Sequence, residues 1–383
     1  MHATPSRIDI HANFDTGNIQ VLDTSDPADL RLAIRPDTRS AHAQWFHFRA
    51  EGLAIGQTYT FVLGNAAQSS YPSAWPGYQA TASVDGAHWF RVPTEYDGQS
   101  LRFTVKAQGT GMSFAYFEPY REARHLALLE RARGIAGMHV LASGKSLEGR
   151  DLPLFRMGNG DASKRKVWLI AQQHPGEHMA EWFMEGIITA LEQAQPWTQA
   201  LLQQVELYLI PNMNPDGAFH GHLRTNAAGK DLNRAWQDAT PEETPEVHFA
   251  LGQMQRHGVD LFIDAHGDEE IPHVFTAACE GNPGYTPRIA DLEARFRQAL
   301  CDQTPDFQQV HGYARDLPGR ANLRLACNAV GQRFDCLSMT LEMPFKDHLD
   351  APNPHTGWSG TRSGQLAQDM LKVVSLLAPT LRE

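Results

Sequence analysis

The sequence predicts an α/β domain built on a mixed sheet and preceded by an all-β sandwich, with the boundary near residue 120 (1–120 and 121–383). Three observations carry this. From Ile8 to about Tyr120 short alternating apolar runs (44–49, 58–63, 88–92, 101–105 and 112–117) are broken by turn residues, with no helical period between them. Residues 118–136, with Leu126, Leu128, Leu129 and Ala132, then read as an amphipathic helix leading out of the sandwich. Beyond it, apolar runs at 167–171, 205–210, 259–264 and 338–343 alternate with helical stretches such as 179–191, the pattern of strands and crossover helices. The sandwich aromatics Trp45, Phe46, Trp75 and Trp89 are expected in its core rather than on a binding face.

The 383 residues suffice for two well-cored domains. A net charge of −11 without any basic run argues against a nucleic-acid or anionic-membrane partner, whose phosphates need a positive footprint. The amino terminus lacks an apolar leader segment and no run of about 18 apolar residues occurs, so a soluble, cytoplasmic protein is expected. Cys279, Cys301, Cys327 and Cys336 are scattered without C-x-x-C spacing and are expected as free thiols. Oligomeric state is not readable.

The chemistry collects where strands end. The run 167–171 leads into Gln172-Gln-His174-Pro-Gly-Glu177-His178, and loops at the carboxyl ends of strands in an α/β sheet line the ligand crevice. An imidazole and a carboxylate three residues apart around a turn offer donors suited to zinc. The same letters spell the inverted zincin motif, in which His174 and His178 ligate and Glu177 is the base. That reading needs a continuous helix, which Pro175 and Gly176 oppose. Asp264-Ala-His266-Gly supplies a third ligand from a neighbouring strand, leaving a catalytic zinc one open position. Glu342, inside the apolar run 338–343, is a carboxylate that needs a partner or a task, and general base for attack of water on a carbonyl is the task assigned. Glu269 and Glu270, beside Asp268 and before Pro272, read as a solvated loop. Arg224, Asn233 and Arg234 are placed to clamp a carboxylate. A metal beside a carboxylate clamp implies an exopeptidase acting at a C-terminus.

These residues resemble those of the zinc carboxypeptidases of the carboxypeptidase A/B fold, and within them the cytosolic carboxypeptidase subfamily. The carrying motifs are His174-Pro-Gly-Glu177, Pro211-Asn-Met-Asn-Pro-Asp-Gly217, Arg224 with Asp231-Leu-Asn-Arg234, Asp264-Ala-His266-Gly and Thr340-Leu-Glu342. Phe14-Asp-Thr-Gly-Asn18, Leu32-x-Ile-Arg-Pro-Asp37, Gln44-Trp-Phe-x-Phe48 and Ala115-Tyr-Phe-Glu-Pro-Tyr120 are similar to the sandwich that precedes the catalytic domain in that subfamily. The resemblance implies one zinc per chain on His174, Glu177 and His266, with Glu342 as the base. It implies that Arg224, assisted by Asn233 and Arg234, grips the terminal carboxylate and polarises the scissile carbonyl of a peptide or isopeptide bond. Members that remove glutamate use a basic residue in the specificity pocket, and Arg320, with Arg324 second, is the match here, implying an acidic preference and deglutamylase-like activity. The family's mobile tyrosine is left unassigned, since Tyr313 stands earlier than the pattern expects. The competing reading is a zinc amidohydrolase of small N-acyl amino acids, similar to the aspartoacylase and desuccinylase group.

Overall fold

In the computed structural model, which describes residues 8–383, strand alternation sorts the apolar side chains of the carboxyl-terminal region onto two faces. The seven residues before Ile8, on which the reading of the amino terminus rests, lie outside the described residues. Val167, Leu169 and Ala171 join one core with Met179, Phe183, Leu371 and Val374, while Trp168 and Ile170 join a second with Trp236, Val247 and Phe262. Both faces of the sheet are therefore covered, as parallel strands require.

That sheet has seven strands, ordered Met138–Lys145, Asp151–Met157, Val205–Ile210, Arg165–Ala171, Leu261–Asp268, Leu337–Pro344 and Phe275–Ala278. The four strands from Val205–Ile210 to Leu337–Pro344 run parallel, and antiparallel strands flank them. Helices Met179–Gln193, Pro287–Gln303 and Gly360–Leu377 pack on one face; Pro245–His257 and Ala326–Phe334 pack on the other. The first and last of the three approach so closely that a Cβ on Gly186 would sit 2.2 Å from the Gly364 carbonyl oxygen. No helix among the described residues is long and apolar enough to cross a membrane.

Residues 9–115 form two five-stranded sheets. Rings of Phe46, Phe48, Phe61, Phe103 and Phe114 fill the space between them, with centroids 4.5–6.5 Å apart. Trp45 and Trp75 are buried as well, whereas Trp89 is half-buried. The helix that leaves this region spans Glu122–Gly134. The four cysteines are free.

Glu246, on the helix Pro245–His257, is buried with Oε1 lacking a partner, and burial pushes its carboxyl up to about 7. A folded-state pKa above the unfolded one means that folding takes up a proton between pH 4.5 and about 7. The associated stability is fully present below pH 4.5 and is lost as pH rises through 7. The cost of ionisation is on the order of 3 kcal/mol. Urea unfolding at pH 5 and pH 8 should show this loss in the native protein and a flatter dependence in Glu246→Gln.

Candidate metal centre and carboxylate clamp

The left-handed residue Gln172 (φ 56°) turns the chain out of the strand Arg165–Ala171 and into the His174 loop. Its side chain is held on both sides: Oε1 accepts from Asn212 Nδ2 at 3.0 Å, and Nε2 donates to the Pro175 carbonyl at 2.9 Å. Asn214 Nδ2 donates to the Gln173 carbonyl at 2.9 Å. The Asn212-Met-Asn-Pro-Asp-Gly217 segment thus scaffolds the loop rather than taking part in chemistry. Gly176 N–H donates to the Leu223 carbonyl at 2.9 Å, where a Cβ would lie 2.9 Å from the same oxygen. This close approach ties the loop to the segment carrying Arg224.

Residues 174–178 are a turn, and the helix begins only at Met179. His178 therefore leaves the site. Its Nδ1 accepts the Tyr120 N–H at 2.9 Å and its ring lies 4.2 Å from that of Trp45, so it packs against the amino-terminal sheets. The inverted zincin arrangement is absent.

His174, Glu177 and His266 converge, each offering one ligating atom within 4.8 Å of the others, and all three are buried. Glu177 Oε1 lies 2.7 Å from His174 Nδ1, and Oε2 lies 2.7 Å from His266 Nδ1. The outer nitrogens are oriented by carboxylates: His266 Nε2 by Asp264 at 2.8 Å and His174 Nε2 by Asp231 at 3.1 Å, the support that metal-binding imidazoles need. Burial works against the Glu177 charge, but the two imidazoles prevail and hold its carboxyl well below the usual range.

Strand pairing sets Glu342 directly opposite His266, and both fall on the same face. Glu342 Oε2 is buried without a hydrogen-bond partner. Burial raises its carboxyl well above the usual range; His266 opposes the shift, and Glu177, Asp268 and Glu269 add to it. Crowded, under-satisfied carboxylates facing two preset imidazoles form a donor set short of positive charge, and a zinc ion fits it.

The loop expected to be solvated beyond Asp264 is a correction. The strand continues to Asp268, so Glu269 emerges still inside the site and is buried, while Glu270 is exposed and bonded to Ser73. Burial, with Glu177 and Asp268 nearby, raises the Glu269 carboxyl well above its ordinary value. Tyr313, left without a role by its spacing, also reaches the centre: its hydroxyl donates to Asp268 Oδ2 at 2.7 Å and lies 3.2 Å from Glu342 Oε1. Only the folded loop brings it there.

Arg224 is braced from both regions of the chain. Its Nε donates to Asp231 Oδ2 at 2.7 Å and its Nη1 to the Tyr71 hydroxyl at 2.7 Å. Buried Asp37 accepts the backbone N–H groups of Leu223, Arg224 and Thr225 at 2.6, 2.9 and 2.9 Å. The amino-terminal sheets are thus part of the site. Tyr71 and Asp37 escaped sequence reasoning, although Asp37 ends the Arg-Pro-Asp signature. Asp37→Ala would strand three N–H groups, lowering stability by about 2 kcal/mol or more and raising KM. Asp37→Asn, which keeps an acceptor oxygen, should lose less; equal losses in urea unfolding and steady-state kinetics would rule out this bracing.

Asn233 accepts the Ala326 N–H with its side-chain oxygen at 2.8 Å, and its Nδ2 has no hydrogen bond among the described residues. Arg234 is exposed and donates to the Asn233 carbonyl at 2.8 Å. A cavity of ≈ 410 Å³ is walled by Thr340, Cys327 and Tyr313, the last of which also reaches Glu342. Arg320 and Arg324 do not line it. Arg320 is exposed, and Arg324 turns its Nε to the Arg234 carbonyl at 2.9 Å, because the segment that bears them runs over the surface. The arginines in the wall are Arg297 and Arg315, both paired with Glu293 at 3.1 and 3.2 Å.

A preset His, Glu, His donor set beside a buried carboxylate and an arginine clamp, on a mixed α/β sheet, defines a metallopeptidase. Residues 10–117 match the family model for the cytosolic carboxypeptidase N-terminal domain, and residues 132–271 match that for zinc carboxypeptidase. A metallo-carboxypeptidase from Pseudomonas aeruginosa, solved in complex with (2-guanidinoethylmercapto)succinic acid, is 59% identical, with a TM-score of 0.96 over 98% of this chain and 100% of that one. The metallo-carboxypeptidase from Burkholderia cenocepacia is 41% identical, with a TM-score of 0.94 over 97% and 99%. An uncharacterized protein of Zymomonas mobilis is 44% identical over 96% of both chains. Cytosolic carboxypeptidase 1 of Mus musculus is 27% identical over 73% of this chain, which spans 27% of that protein's length. The chain belongs to the zinc carboxypeptidase family, with the amino-terminal domain of its cytosolic carboxypeptidases, and is a peptidase hydrolase.

Proposed function

We propose that the chain removes the C-terminal residue of peptides or proteins, with one zinc per chain at His174, Glu177 and His266, and prefers acidic C-terminal side chains, as a deglutamylase does. The observation that carries this is the opposition of Glu342 to His266 on paired strands, with Arg224 braced nearby by Asp231 and Tyr71. When bound, zinc supplies a Lewis acid that polarises the scissile carbonyl and lowers the pKa of a water beside it. Glu342 takes a proton from the attacking water as its oxygen bonds to the carbonyl carbon. It then delivers that proton to the amine nitrogen as the C–N bond breaks. Arg224 stabilises the charge developing on the carbonyl oxygen and, assisted by the Asn233 amide and Arg234, grips the terminal carboxylate.

Arg297 and Arg315 in the cavity wall support the acidic preference, with Arg297 Nε buried and unpartnered. A basic preference is the second reading. Glu280 Oε2 in the same wall also lacks a partner, and the Pseudomonas relative is solved with a guanidino compound. Free cysteines and relatives named cytosolic support a cytoplasmic setting. The test is a panel of peptides ending in Glu, Lys, Leu or Ala, run beside N-acyl amino acids with and without a chelator. Chelator-sensitive release of Glu before the others is expected. Faster release of Lys would reverse the side-chain preference, and turnover of the acyl amino acids alone would place the enzyme with the small amidohydrolases.

A further inference from the structure

The loop leaving the strand Leu261–Asp268 runs on to His273 and there meets two other segments. His273 Nδ1 lies 3.0 Å from Asp350 Oδ2, and the His273 and His348 rings pack edge to face with centroids 5.6 Å apart. One ligating atom from each of His273, His348 and Asp350 lies within 4.8 Å of the others; the imidazoles are buried and the carboxylate is open to solvent.

The His348 imidazole is preset. Its Nε2–H donates to the Asp306 carbonyl at 2.7 Å, which leaves Nδ1 with its lone pair. That nitrogen accepts the Asp350 N–H at 3.2 Å, the one hydrogen bond on it among the described residues, which an incoming ion would displace. Histidines that bind metals are held in this way. Direct imidazole–carboxylate contact also repeats the pattern at His174, Glu177 and His266. A plain ion pair accounts for His273 and Asp350, but not for a third ligating side chain within 4.8 Å of both.

We propose that His273, His348 and Asp350 form a second, weaker zinc site, distinct from the catalytic one, whose occupation fastens the segment leading to Tyr313. Two nitrogens and one oxygen suit a borderline divalent ion. The site is weaker because one ligand is exposed and its contact with His273 must open to admit the ion. Fastening follows from what the ligands already touch. His348 holds the Asp306 carbonyl, Gln308 Nε2 donates to the Val274 carbonyl at 3.0 Å, and the His311 ring lies flat on His273 at 4.2 Å. An ion there joins both anchors of residues 306–311, two residues short of the tyrosine that reaches Glu342.

The test equilibrates zinc-loaded enzyme with a buffered series of free Zn²⁺ and counts metal per chain. About one equivalent is expected at limiting zinc and a second at higher free zinc. Asp350→Asn, at an exposed position, should lose only the second and keep its peptidase activity at limiting zinc. His174→Ala should lose the first and keep the second, so failure of the catalytic reading and failure of this one give different counts. Saturation of the native enzyme at one equivalent, or two equivalents retained by Asp350→Asn, overturns the site. Amide exchange across 306–313 should slow about tenfold with the second equivalent in the native enzyme but not in Asp350→Asn; unchanged exchange overturns the fastening.

Discussion

Glu342→Gln is expected to lower kcat by roughly 10³-fold, within the range for loss of a general base, while the variant keeps its zinc. The substitution preserves volume and removes the charge together with the ability to accept a proton. Zinc should stay because Glu342 is not one of the three converging side chains, which keep their own orienting carboxylates Asp231 and Asp264. Elemental analysis and steady-state rates on one preparation test both halves. Glu269→Gln is the necessary companion, since Glu269 is another buried carboxyl close by and no part of the donor set. If Glu269→Gln stops turnover and Glu342→Gln does not, the roles assigned here are exchanged.

Arg224→Ala is expected to lower kcat/KM by about 10²–10³, the loss found on removing one transition-state donor. Burial opposes its charge, but Asp231, Tyr71, Glu177 and Glu269 outweigh it, so the guanidinium is fixed in its charged form. Arg224→Lys should recover little, because one ammonium cannot bond Asp231 and the Tyr71 hydroxyl in the directions the guanidinium does. Peptides with an amidated C-terminus separate the clamp from general damage. Amidation should slow the native enzyme severely and the Arg224→Ala variant far less, because the grip on the carboxylate is already gone. Equal penalties in both would remove Arg224 from substrate binding.

The strands were readable because near-continuous apolar runs such as 167–171 and 205–210 are the direct trace of a sheet covered on both faces. His174 and Glu177 were readable for a local reason as well, since Pro175-Gly176 forces a turn that brings residues three apart to one side. Likewise, an unpaired carboxyl inside an apolar strand singled out Glu342 without any knowledge of its neighbours. Side chains that enter the site through long-range packing were not readable in this way. Tyr71 and Asp37 reach Arg224 from more than 150 positions away, and no periodicity records such a contact. Glu269 was misplaced because the end of a strand is set by the neighbour it pairs with, here Leu337–Pro344, and not by its own residues. Arg320 and Arg324 failed for the related reason that in a long surface segment local sequence says nothing about which way a side chain turns. Sequence alone thus determined the elements, the motif loops and the chemical types gathered at the strand ends. Tertiary structure decided which arginines face the cavity, that His178 turns away to Trp45, and that the amino-terminal sheets hold the clamp. Those outcomes depend on contacts between distant segments, whose energies only the folded arrangement defines.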